Sequence, residues 1–383
     1  MKRRPKCLLD VLQVTTVHTW KDNRIFHKQC RSLAAAGFSV ALVAPDAPGG
    51  PAEGVNTFRL GTPPGGRLGR FLFGGAMAFW RCLSLSSKVV HIHDPELIPV
   101  ALLAKLCGRR IVYDVHEDYP TDILSKPWLP VRVRRPMAAL CGFLERIAIR
   151  AFDGVVAATP AIVKRLIRYN SNTVLVANYP RAEELGGIAQ SIPGERKDVV
   201  YVGYLTTIRG IRVLVDAMQF VSARLVLAGE FTDRELEAYV RARLSPNRIE
   251  YIGWVARKEL PELLKSAAVG LVPFLPEPAH IEALPNKLFE YMAAGIPVIA
   301  SDFPSWKQLI EGQGVGWCVP AGDPKALAAC INRVLSDPEG ASAAGARGRD
   351  AVERELNWSA AFKELIRAYA RLDAHLGKQA MEI

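Results

Sequence analysis

The sequence predicts an α/β protein made of two Rossmann-like domains, each with a parallel sheet. Short apolar runs alternate with helical patterns through most of the chain. Its 383 residues exceed the length at which a single hydrophobic core usually stops growing, roughly 250–300 residues. The segment 181–197 loses apolar periodicity and gains glycine, proline and charge. It therefore predicts a linker between a first domain, 1–180, and a second domain, 198–359.

The amino-terminal domain opens with a β-α-β unit. Residues 7–15 predict a buried strand, 24–37 predict a helix, and 38–45 predict a second strand. This order implies a right-handed parallel crossover. The loop between the first strand and the helix lacks G-x-G-x-x-G, which disfavours a nicotinamide dinucleotide site. The same loop carries His18, and Arg24 follows at the start of the helix.

Two later strands of this domain end in polar residues. These residues are His91, His93 and Asp94 after the first strand, and Asp114, His116, Glu117 and Asp118 after the second. Ligands of open parallel sheets bind beyond the carboxyl ends of the strands, so both clusters lie where chemistry is expected. Histidines beside carboxylates are also typical of metal sites. We expect no metal, because the pairs come from separate strands and no H-E-x-x-H helix is present. We expect His91 to be a core residue that is hydrogen-bonded to backbone.

The carboxy-terminal domain restarts the β-α pattern at residue 199. A predicted strand ends at Gly203, and Arg209 precedes Gly210 just ahead of a helix. An arginine at that place can bind two phosphate oxygens at once. Three further strands are predicted within 224–231, 248–255 and 267–274.

Residues 282–302 predict a loop, a helix and a buried strand. Pro285 suits the first turn of a helix, because its fixed φ fits there and its missing N–H would be unpaired in any case. We expect the helix to span 285–294 and to end at a glycine. The free amides at such a helix start bind anions, and Glu282 and Glu290 on either side can hold hydroxyl groups. Phosphate and hydroxyl groups together indicate a sugar nucleotide.

This stretch carries a resemblance to a known family. Glu282 and Glu290, with LPNKLFEYMAAGIPVIAS around the second of them, resemble the E-x7-E signature of the retaining glycosyltransferases of family 4. The match is strongest with bacterial enzymes that build surface polysaccharides. That family has the GT-B architecture. The resemblance implies that the two domains face across a cleft, and that a last helix, 360–383, packs back on the amino-terminal domain.

The resemblance also implies roles for individual residues. Gly203 and Arg209 belong to the donor diphosphate loop, Glu290 holds the ribose, and Glu282 holds the sugar hydroxyls. Trp254 stands where the backbone usually pairs with the nucleobase, and its ring either stacks there or belongs to the core. The other implied site residues are Leu284, Asn286 and Lys287 at the donor, His116 at the donor sugar, and His18, Arg24, Asp94 and Glu117 on the acceptor side.

The expected reaction is a sugar transfer that needs no metal ion and no cofactor. The chain contains no D-x-D, so fixed positive groups must take up charge on the leaving diphosphate. The family often has an arginine directly after the first glycine of the phosphate loop, where Tyr204 stands here, and Lys287 is expected to supply that charge. The implied catalytic residues are His116, Arg209, Glu282 and Lys287.

We therefore predict a retaining glycosyltransferase that uses a UDP- or GDP-linked sugar and a glycan or lipid-linked acceptor in cell-envelope polysaccharide biosynthesis. Two alternatives remain open. A sugar-nucleotide 2-epimerase shares the architecture and would release no nucleoside diphosphate as the product of a transfer. A non-catalytic GT-B scaffold in an envelope assembly complex would bind the donor without turnover.

Charge and composition limit the partners. The formal charge of +11 favours anionic partners, but no zinc-finger spacing, long basic run or RNA-binding aromatic motif is present, so we expect no nucleic acid. Two basic, apolar stretches, 67–83 and 126–152, suit either an anionic bilayer surface or ordinary helices with a core face and a solvated basic face. Scattered cysteines indicate a reducing compartment. We expect a cytoplasmic protein whose membrane contact, where there is one, is peripheral.

Overall fold

The computed structural model describes residues 9–61, 66–126, 128–181, 196–245, 248–373 and 376–377. The chain divides into two compact units. Unit 1 is Met1–Asn178 together with Ser359–Ile383, and unit 2 is Tyr179–Trp358. Most of the segment predicted as a linker lies outside the described residues.

The described part of unit 1 is built on an eight-stranded sheet. Its strands are Leu9–Val14 (β1), Val40–Ala44 (β2), Gly50–Ala52 (β3), Val55–Arg59 (β4), Ser87–Ile92 (β5), Arg110–Val115 (β6), Gly154–Ala157 (β7) and Thr173–Leu175 (β8). They lie in the order β3-β4-β2-β1-β5-β6-β7-β8, and only the β3–β4 pair is antiparallel. The central strands are buried along nearly their whole length, as parallel strands covered on both faces should be.

The described part of unit 2 contains a six-stranded, fully parallel sheet. Its strands are Asp198–Val202 (β9), Leu225–Ala228 (β10), Ile249–Gly253 (β11), Ala267–Val272 (β12), Val298–Ser301 (β13) and Gly316–Val319 (β14). The order is β11-β10-β9-β12-β13-β14. The expectation of two Rossmann-like parallel-sheet domains is thereby confirmed.

Helices connect the strands of both units. In unit 1 they are Arg31–Ala35 (α1), Gly66–Gly69 (α2), Gly75–Ser84 (α3), Ile98–Leu106 (α4), Tyr119–Leu124 (α5), Val131–Ala151 (α6) and Pro160–Leu166 (α7). In unit 2 they are Ile211–Ala217 (α8), Arg234–Arg241 (α9), Leu260–Leu264 (α10), Pro278–Ile281 (α11), Asn286–Ala293 (α12), Pro304–Ile310 (α13), Pro324–Ser336 (α14) and Pro338–Arg354 (α15). The last helix is Trp358–Ala370 (α16). None of the helices in the described ranges is both long enough and apolar enough to cross a bilayer.

The helix predicted over 24–37 has a less regular form than its pattern suggests. It begins as a π-helical segment, Asn23–Cys30, and continues as α1. The Asp22 carboxylate caps its start by accepting hydrogen bonds from the backbone N–H groups of Arg24 and Ile25 at 2.8 and 2.9 Å. Arg24 and Ile25, at the start of the segment, are buried.

Strand order determines which polar residues meet. In unit 1 the strands β1, β5 and β6 are neighbours, so the residues after their carboxyl ends share one edge of the sheet. In unit 2 the winding reverses at β9, which lies between β10 and β12. Open α/β sheets bind ligands at such a reversal. The loops after β9 and β12 are therefore the expected donor-binding loops.

The last helix belongs with the first unit, as the resemblance implied. Residues from Ser359 onward group with unit 1. Tyr369 is fully buried there, and its hydroxyl lies 2.6 Å from Nδ1 of His91 and 3.4 Å from the Gln13 side chain. The last helix thus packs in the unit whose sheet contains the first strand of the chain.

Candidate functional site

The loop after β1 is held in place by Asp94, which follows β5. Asp94 is buried, and its carboxylate accepts hydrogen bonds from the Thr16 backbone N–H at 2.6 Å and the Thr15 hydroxyl at 2.9 Å. Its other oxygen lies 3.5 Å from Nε2 of His18. A carboxylate satisfied in this way fixes the loop conformation. The geometry favours a positioning role for Asp94 over direct contact with an acceptor.

The structure buries Arg24, although the sequence prediction places it on the acceptor side. Its guanidinium forms a bidentate pair with Asp114 at 2.7 and 3.0 Å, and its remaining nitrogen donates to the Val176 carbonyl at 2.7 Å. The Gln29 amide also donates to Asp114, at 2.6 Å. Burial raises the pKa of Asp114, but the positive charge of Arg24 beside it is the largest opposing effect, and the pKa is held well below its ordinary value. Arg24 is therefore a buried cation that packs within unit 1, and its acceptor-side role stays a prediction.

His116 lies after β6, and its ring orientation is set by a chain of hydrogen bonds. Its Nε2 lies 3.0 Å from Nδ1 of buried His93, whose Nε2 contacts the Gln13 amide oxygen. An amide oxygen only accepts, so His93 carries its proton on Nε2. Burial lowers the pKa of His93 despite the opposing effect of Asp114, which keeps this ring neutral. In this tautomer Nδ1 of His93 accepts from Nε2 of His116, and Nδ1 of His116 is the nitrogen outside this chain of hydrogen bonds. Asp114 lies 3.4 Å from both Nδ1 of His93 and Nε2 of His116.

His18 stands beside His116, with 4.9 Å between the ring centroids. Its ring nitrogens lie 3.5 Å from Asp22 and 3.5 Å from Asp94. Burial lowers the pKa of His18, but the hydrogen bond to Asp22 and the charge of Asp94 together raise it above 6.5. His18 therefore keeps a positive charge further into the neutral range than a free histidine does. Glu117, the next residue after His116, is exposed.

The histidine cluster has the spacing of a metal site, but its carboxylate already has hydrogen-bond partners. Ligand atoms of His91, His93 and Asp114 lie within 4.8 Å of one another. Asp114 already accepts hydrogen bonds from Arg24 and Gln29, and the guanidinium charge would oppose a metal ion at the same carboxylate. The donor set therefore fits a hydrogen-bonded network better. His91 is a core residue as expected, but it bonds to the Tyr369 hydroxyl and not to backbone.

In unit 2, the loop after β9 packs directly on the segment after β12. Gly210 has φ +74°, and a Cβ at that position would lie 1.8 Å from the carbonyl oxygen of Pro273. The backbone N–H of Leu275 donates to the carbonyl of Ile208 at 2.9 Å. Only glycine has both the conformation and the size for position 210. This contact fixes the place of Arg209 in the loop.

Arg209 and Lys287 converge on Gly203. A Cβ at Gly203 would lie 3.0 Å from the Lys287 ammonium and 3.6 Å from a guanidinium nitrogen of Arg209. Lys287 is buried, and its ammonium donates to the Tyr201 hydroxyl at 2.8 Å. Burial, reinforced by the charge of Arg209, lowers the pKa of Lys287 well below its ordinary value. Two basic groups therefore converge beside a residue that has no side chain, an arrangement that suits an anion.

The helix α12 starts one residue later than predicted. Pro285 is its N-cap, with φ −63° and ψ 132°, and Asn286 is its first residue. Gly295, with φ +66°, follows its end as expected. Leu284 and Asn286 are half-buried at this start. Because no side chain caps the helix, its first amides are available to a ligand.

The two glutamates of the signature have different surroundings. Glu290 lies inside α12 and accepts a hydrogen bond from the Arg257 guanidinium at 3.1 Å. Glu282 is exposed directly after α11. The chain beside it is held by the Trp306 indole, which donates to the Ala283 carbonyl at 2.6 Å. Glu282 therefore lies on a fixed segment, and no described residue forms an ion pair with its carboxylate.

Aromatic residues flank the cationic pair. Trp254 is 62% exposed, which excludes the core interpretation of its ring. Its ring centroid lies 6.4 Å from that of Tyr204, and the Arg209 guanidinium lies 5.6 Å from the Tyr204 ring. Tyr204 thus contributes an aromatic surface where the family often has an arginine. A planar ligand group can stack against such a surface.

A cavity of about 610 Å³ in unit 2 lies away from these residues. Arg196, Asp198, Arg224, Pro297 and Arg349 line part of it. Asp198 begins β9, whereas Gly203 directly follows the other end of that strand. The cavity is therefore at the opposite end of the sheet from Lys287 and is not part of the candidate donor site.

Sequence reasoning missed several polar partners of these residues. Gln13 lies in a mostly apolar strand, and Gln29 lies on the buried side of a helix. A polar residue inside an apolar pattern was the available signal in both cases. Tyr201, which bonds Lys287, and Arg257, which bonds Glu290, carried no signal that separates them from ordinary core and surface residues.

Comparison with known proteins covers both halves of the chain. A family model described as a glycosyl transferase 4-like domain matches residues 23–179. A second model, described as glycosyl transferases group 1, matches residues 196–337. The histidine cluster lies within the range that the first model matches. Arg209, Lys287 and both glutamates lie within the range that the second model matches.

Individual relatives agree with these matches. The amylovoran biosynthesis glycosyltransferase AmsK of Erwinia amylovora is 28% identical over 184 residues, which are 45% of this chain and 44% of AmsK, so the match spans less than half of that relative. Sucrose-phosphate synthase from Thermosynechococcus elongatus superposes with a TM-score of 0.76 at 22% identity, over 96% of this chain and 100% of the other. HepE of Anabaena in complex with UDP-glucose gives a TM-score of 0.62 at 15% identity, over 98% and 100%. At these identities the superpositions show the fold alone.

Proposed function

This chain belongs to the family 4 glycosyltransferases with the GT-B fold, and we propose that it transfers a sugar from a nucleoside-diphosphate sugar to a hydroxyl group of a glycan or lipid-linked acceptor. The proposed donor is a UDP- or GDP-sugar, and the proposed setting is cell-envelope polysaccharide biosynthesis. The reaction retains the anomeric configuration and uses neither a metal ion nor a cofactor. HepE, which has this fold, holds UDP-glucose in its solved structure.

The convergence of Arg209 and Lys287 on Gly203 carries this proposal. Both side chains end within 4 Å of the point where a Cβ of Gly203 would lie, so a phosphate bound beside this glycine would contact both of them. As the bond to the sugar breaks, negative charge grows on the departing diphosphate. Positive groups that are already in place stabilise that charge without reorganisation, and one such donor is commonly worth about 3–4 kcal/mol. The uncapped start of α12 adds backbone N–H groups to the same place.

Glu290 and Glu282 hold hydroxyl groups in this proposal. Glu290 binds the ribose hydroxyls, which replace the Arg257 guanidinium as its partners. The Arg257–Glu290 pair is partly exposed, with the arginine side chain at 40%, so breaking it costs little. Glu282 and the backbone beside it bind the transferred sugar. Trp254 lies at the nucleobase.

Residues of unit 1 act on the sugar and the acceptor. His116 presents Nδ1 to a donor-sugar hydroxyl, because its Nε2 is committed to His93. His18 and Glu117 serve the acceptor hydroxyl. Asp94 positions the His18 loop, and Arg24 holds the helix behind it through Asp114.

A donor screen tests the proposal. The protein is heated with UDP-, GDP- or ADP-sugars, and a ligand at a hundredfold excess over its Kd adds about 2.7 kcal/mol of stability. The stabilising nucleotide is then tested for release of nucleoside diphosphate with candidate acceptors. Release that depends on the acceptor supports transfer. Binding without release indicates a scaffold, formation of an epimeric sugar nucleotide indicates an epimerase, and no stabilisation by any of these donors contradicts the proposal.

A further inference from the structure

The helix α6 has two apolar sides, and only one of them meets the core of unit 1. The inward side includes Ala138, Gly142, Ala148 and Ile149, which are buried. A second stripe runs along the outward side at helical spacing and consists of Val133, Met137, Leu140, Leu144 and Ile147, each between 41 and 57% exposed. A surface helix of a globular protein normally turns polar residues to the solvent. The packing of unit 1 therefore does not account for the outward stripe.

The helices next to α6 also carry exposed apolar residues. In unit 1, α6 contacts α4, and α4 contacts α3. The exposed apolar residues of α3, of the π-helical segment Arg70–Gly74 before it and of α4 include Leu72 at 54%, Phe73 at 60%, Met77 at 40%, Trp80 at 69%, Leu103 at 51% and Leu106 at 84%. Single exposed apolar residues are normal, but a group spread over three adjacent helices indicates an interaction site.

The charged residues of α3, α4 and α6 are almost all positive. The five arginines of α6 are Arg132, Arg134, Arg135, Arg146 and Arg150. Its one acidic residue, Glu145, is buried and bonded to Arg165. No acidic residue occurs in α3 or α4. The partner of this surface must therefore combine an apolar interior with negative charge.

We propose that the face formed by α3, α4 and α6, called here the lipid face, binds the surface of an anionic lipid bilayer. Its apolar side chains enter the boundary between headgroups and acyl chains, and its arginines contact lipid phosphates. A second copy of this chain fits the surface less well, because a two-fold contact would bring the same arginines together. This proposal goes beyond the transfer reaction and does not depend on it.

Vesicle flotation tests the lipid face with the full chain. The vesicles contain either phosphatidylcholine alone or phosphatidylcholine with phosphatidylglycerol. We expect binding to the anionic vesicles, weakened by salt, and at least tenfold less binding to the zwitterionic ones. The double variant Leu140→Gln, Leu144→Gln should lose about tenfold or more in partitioning. Arg132→Gln with Arg135→Gln should lose roughly twentyfold, at about fivefold for each basic residue near the surface.

Matched controls lie elsewhere on the protein. Ile167 and Phe220 are 46 and 54% exposed outside the lipid face, and Ile167→Gln with Phe220→Gln should leave flotation unchanged. Arg241 and Arg243 are exposed in unit 2, and Arg241→Gln with Arg243→Gln should have a small effect. Equal flotation with and without anionic vesicles would overturn the proposal. So would a dimer that binds no vesicles and dissociates in the Leu140, Leu144 variant, because the face would then be a contact between copies.

Discussion

Lys287 combines a buried amine with a neighbouring guanidinium, and both disfavour its charged form. Burial and Arg209 lower its pKa in the free protein, whereas a diphosphate bound at Gly203 would restore the charge. At a pH between the lowered pKa and the pKa of the complex, UDP binding should therefore take up a proton. Affinity should fall as pH rises through that range, by up to tenfold per pH unit.

Calorimetry of UDP binding in two buffers with different ionisation enthalpies measures this uptake. The Lys287→Met variant should bind more weakly and take up no proton through this site. The same linkage acts on folding. Lys287 is protonated at neutral pH in the unfolded chain, whereas in the folded chain its lowered pKa disfavours protonation. Lys287→Met should therefore melt higher by about 2–4 °C near pH 7, as expected for about 1 kcal/mol in a unit of this size. Equal apparent binding enthalpies in both buffers would argue against the linkage.

Arg209 differs from its neighbour Arg212 in what it faces. Arg209 lies against Gly203 and Lys287, whereas Arg212 forms an exposed ion pair with Glu235 at 3.2 Å. Arg209→Ala should lower kcat by about a hundredfold, because a preorganised donor to the leaving diphosphate is lost. Arg212→Ala should change kcat less than twofold. Steady-state kinetics with the donor identified by the screen decide this, and wild-type turnover by Arg209→Ala would remove its role at the phosphate.

At the scale of elements, the contact between the loops after β9 and β12 depends on one glycine. Gly210 and Gly253 have nearly the same φ, +74° and +76°, but a Cβ on Gly253 would meet no atom within 4 Å. Gly253→Ala should therefore cost about 1–2 kcal/mol, the strain of the left-handed conformation alone. Gly210→Ala should cost about 4 kcal/mol or more, because the loop must also move away from Pro273. Calorimetric unfolding of the unit 2 transition compares the two, and equal losses would show that the loops separate freely.

The segment Asn23–Cys30 is tied to β6 by a charge pair, and its stability can be compared with that of a surface pair nearby. Arg24 and Asp114 are 5 and 0% exposed, whereas Arg31 and Glu53 are 44 and 50% exposed. Arg24→Gln leaves a buried carboxylate without its cation, so it should destabilise unit 1 by about 3–5 kcal/mol. Arg31→Gln should cost less than about 1 kcal/mol. A raised KM for the acceptor with an unchanged melting temperature would instead restore Arg24 to the acceptor site.

The Arg24–Asp114 pair shows why sequence patterns predict helices and strands better than they predict contacts between side chains. The β-α-β order, the strand after α12 and the end of that helix at Gly295 follow from local periodicity and backbone preference, and they are observed. The partners of Arg24 are not local, since Asp114 and Val176 come from distant parts of the chain. A motif places Arg24 near the acceptor loop, but only the packing of that loop decides whether its guanidinium faces a ligand or the core.

At the scale of the whole molecule, each sheet brings together residues that are far apart in sequence. Lys287 meets Tyr201 across 86 positions, and Tyr369 meets His91 across 278. Length and the repeated β-α pattern are enough to predict two units. They cannot indicate that Tyr369 completes the hydrogen bonds of His91, because that depends on the return of the last helix to the first sheet. Only the family resemblance predicted that the last helix packs on the amino-terminal domain.

This return makes the stability of unit 1 depend on the carboxyl end of the chain. Leu365, Ile366 and Tyr369 of α16 are at most 3% exposed. A chain that ends at residue 358 should lose the unit 1 transition in calorimetry or show it at a temperature lower by 10 °C or more, because each large buried side chain contributes about 1.5–3 kcal/mol. Unit 2 should keep its transition and its binding of UDP, since no described residue beyond 358 belongs to its core.

Two further variants separate packing from hydrogen bonding in α16. A chain that ends at residue 377 keeps this helix and should melt like the full protein. Tyr369→Phe keeps the ring but removes the hydroxyl from His91 and Gln13, so it should cost about 1–3 kcal/mol in unit 1. If the chain ending at 358 kept both transitions unchanged, α16 would not be an integral part of the first sheet domain. The orientation of the His116 ring depends on the hydrogen-bond network that includes His91, His93 and Gln13. Loss of the Tyr369 hydroxyl should therefore also lower turnover without weakening UDP binding.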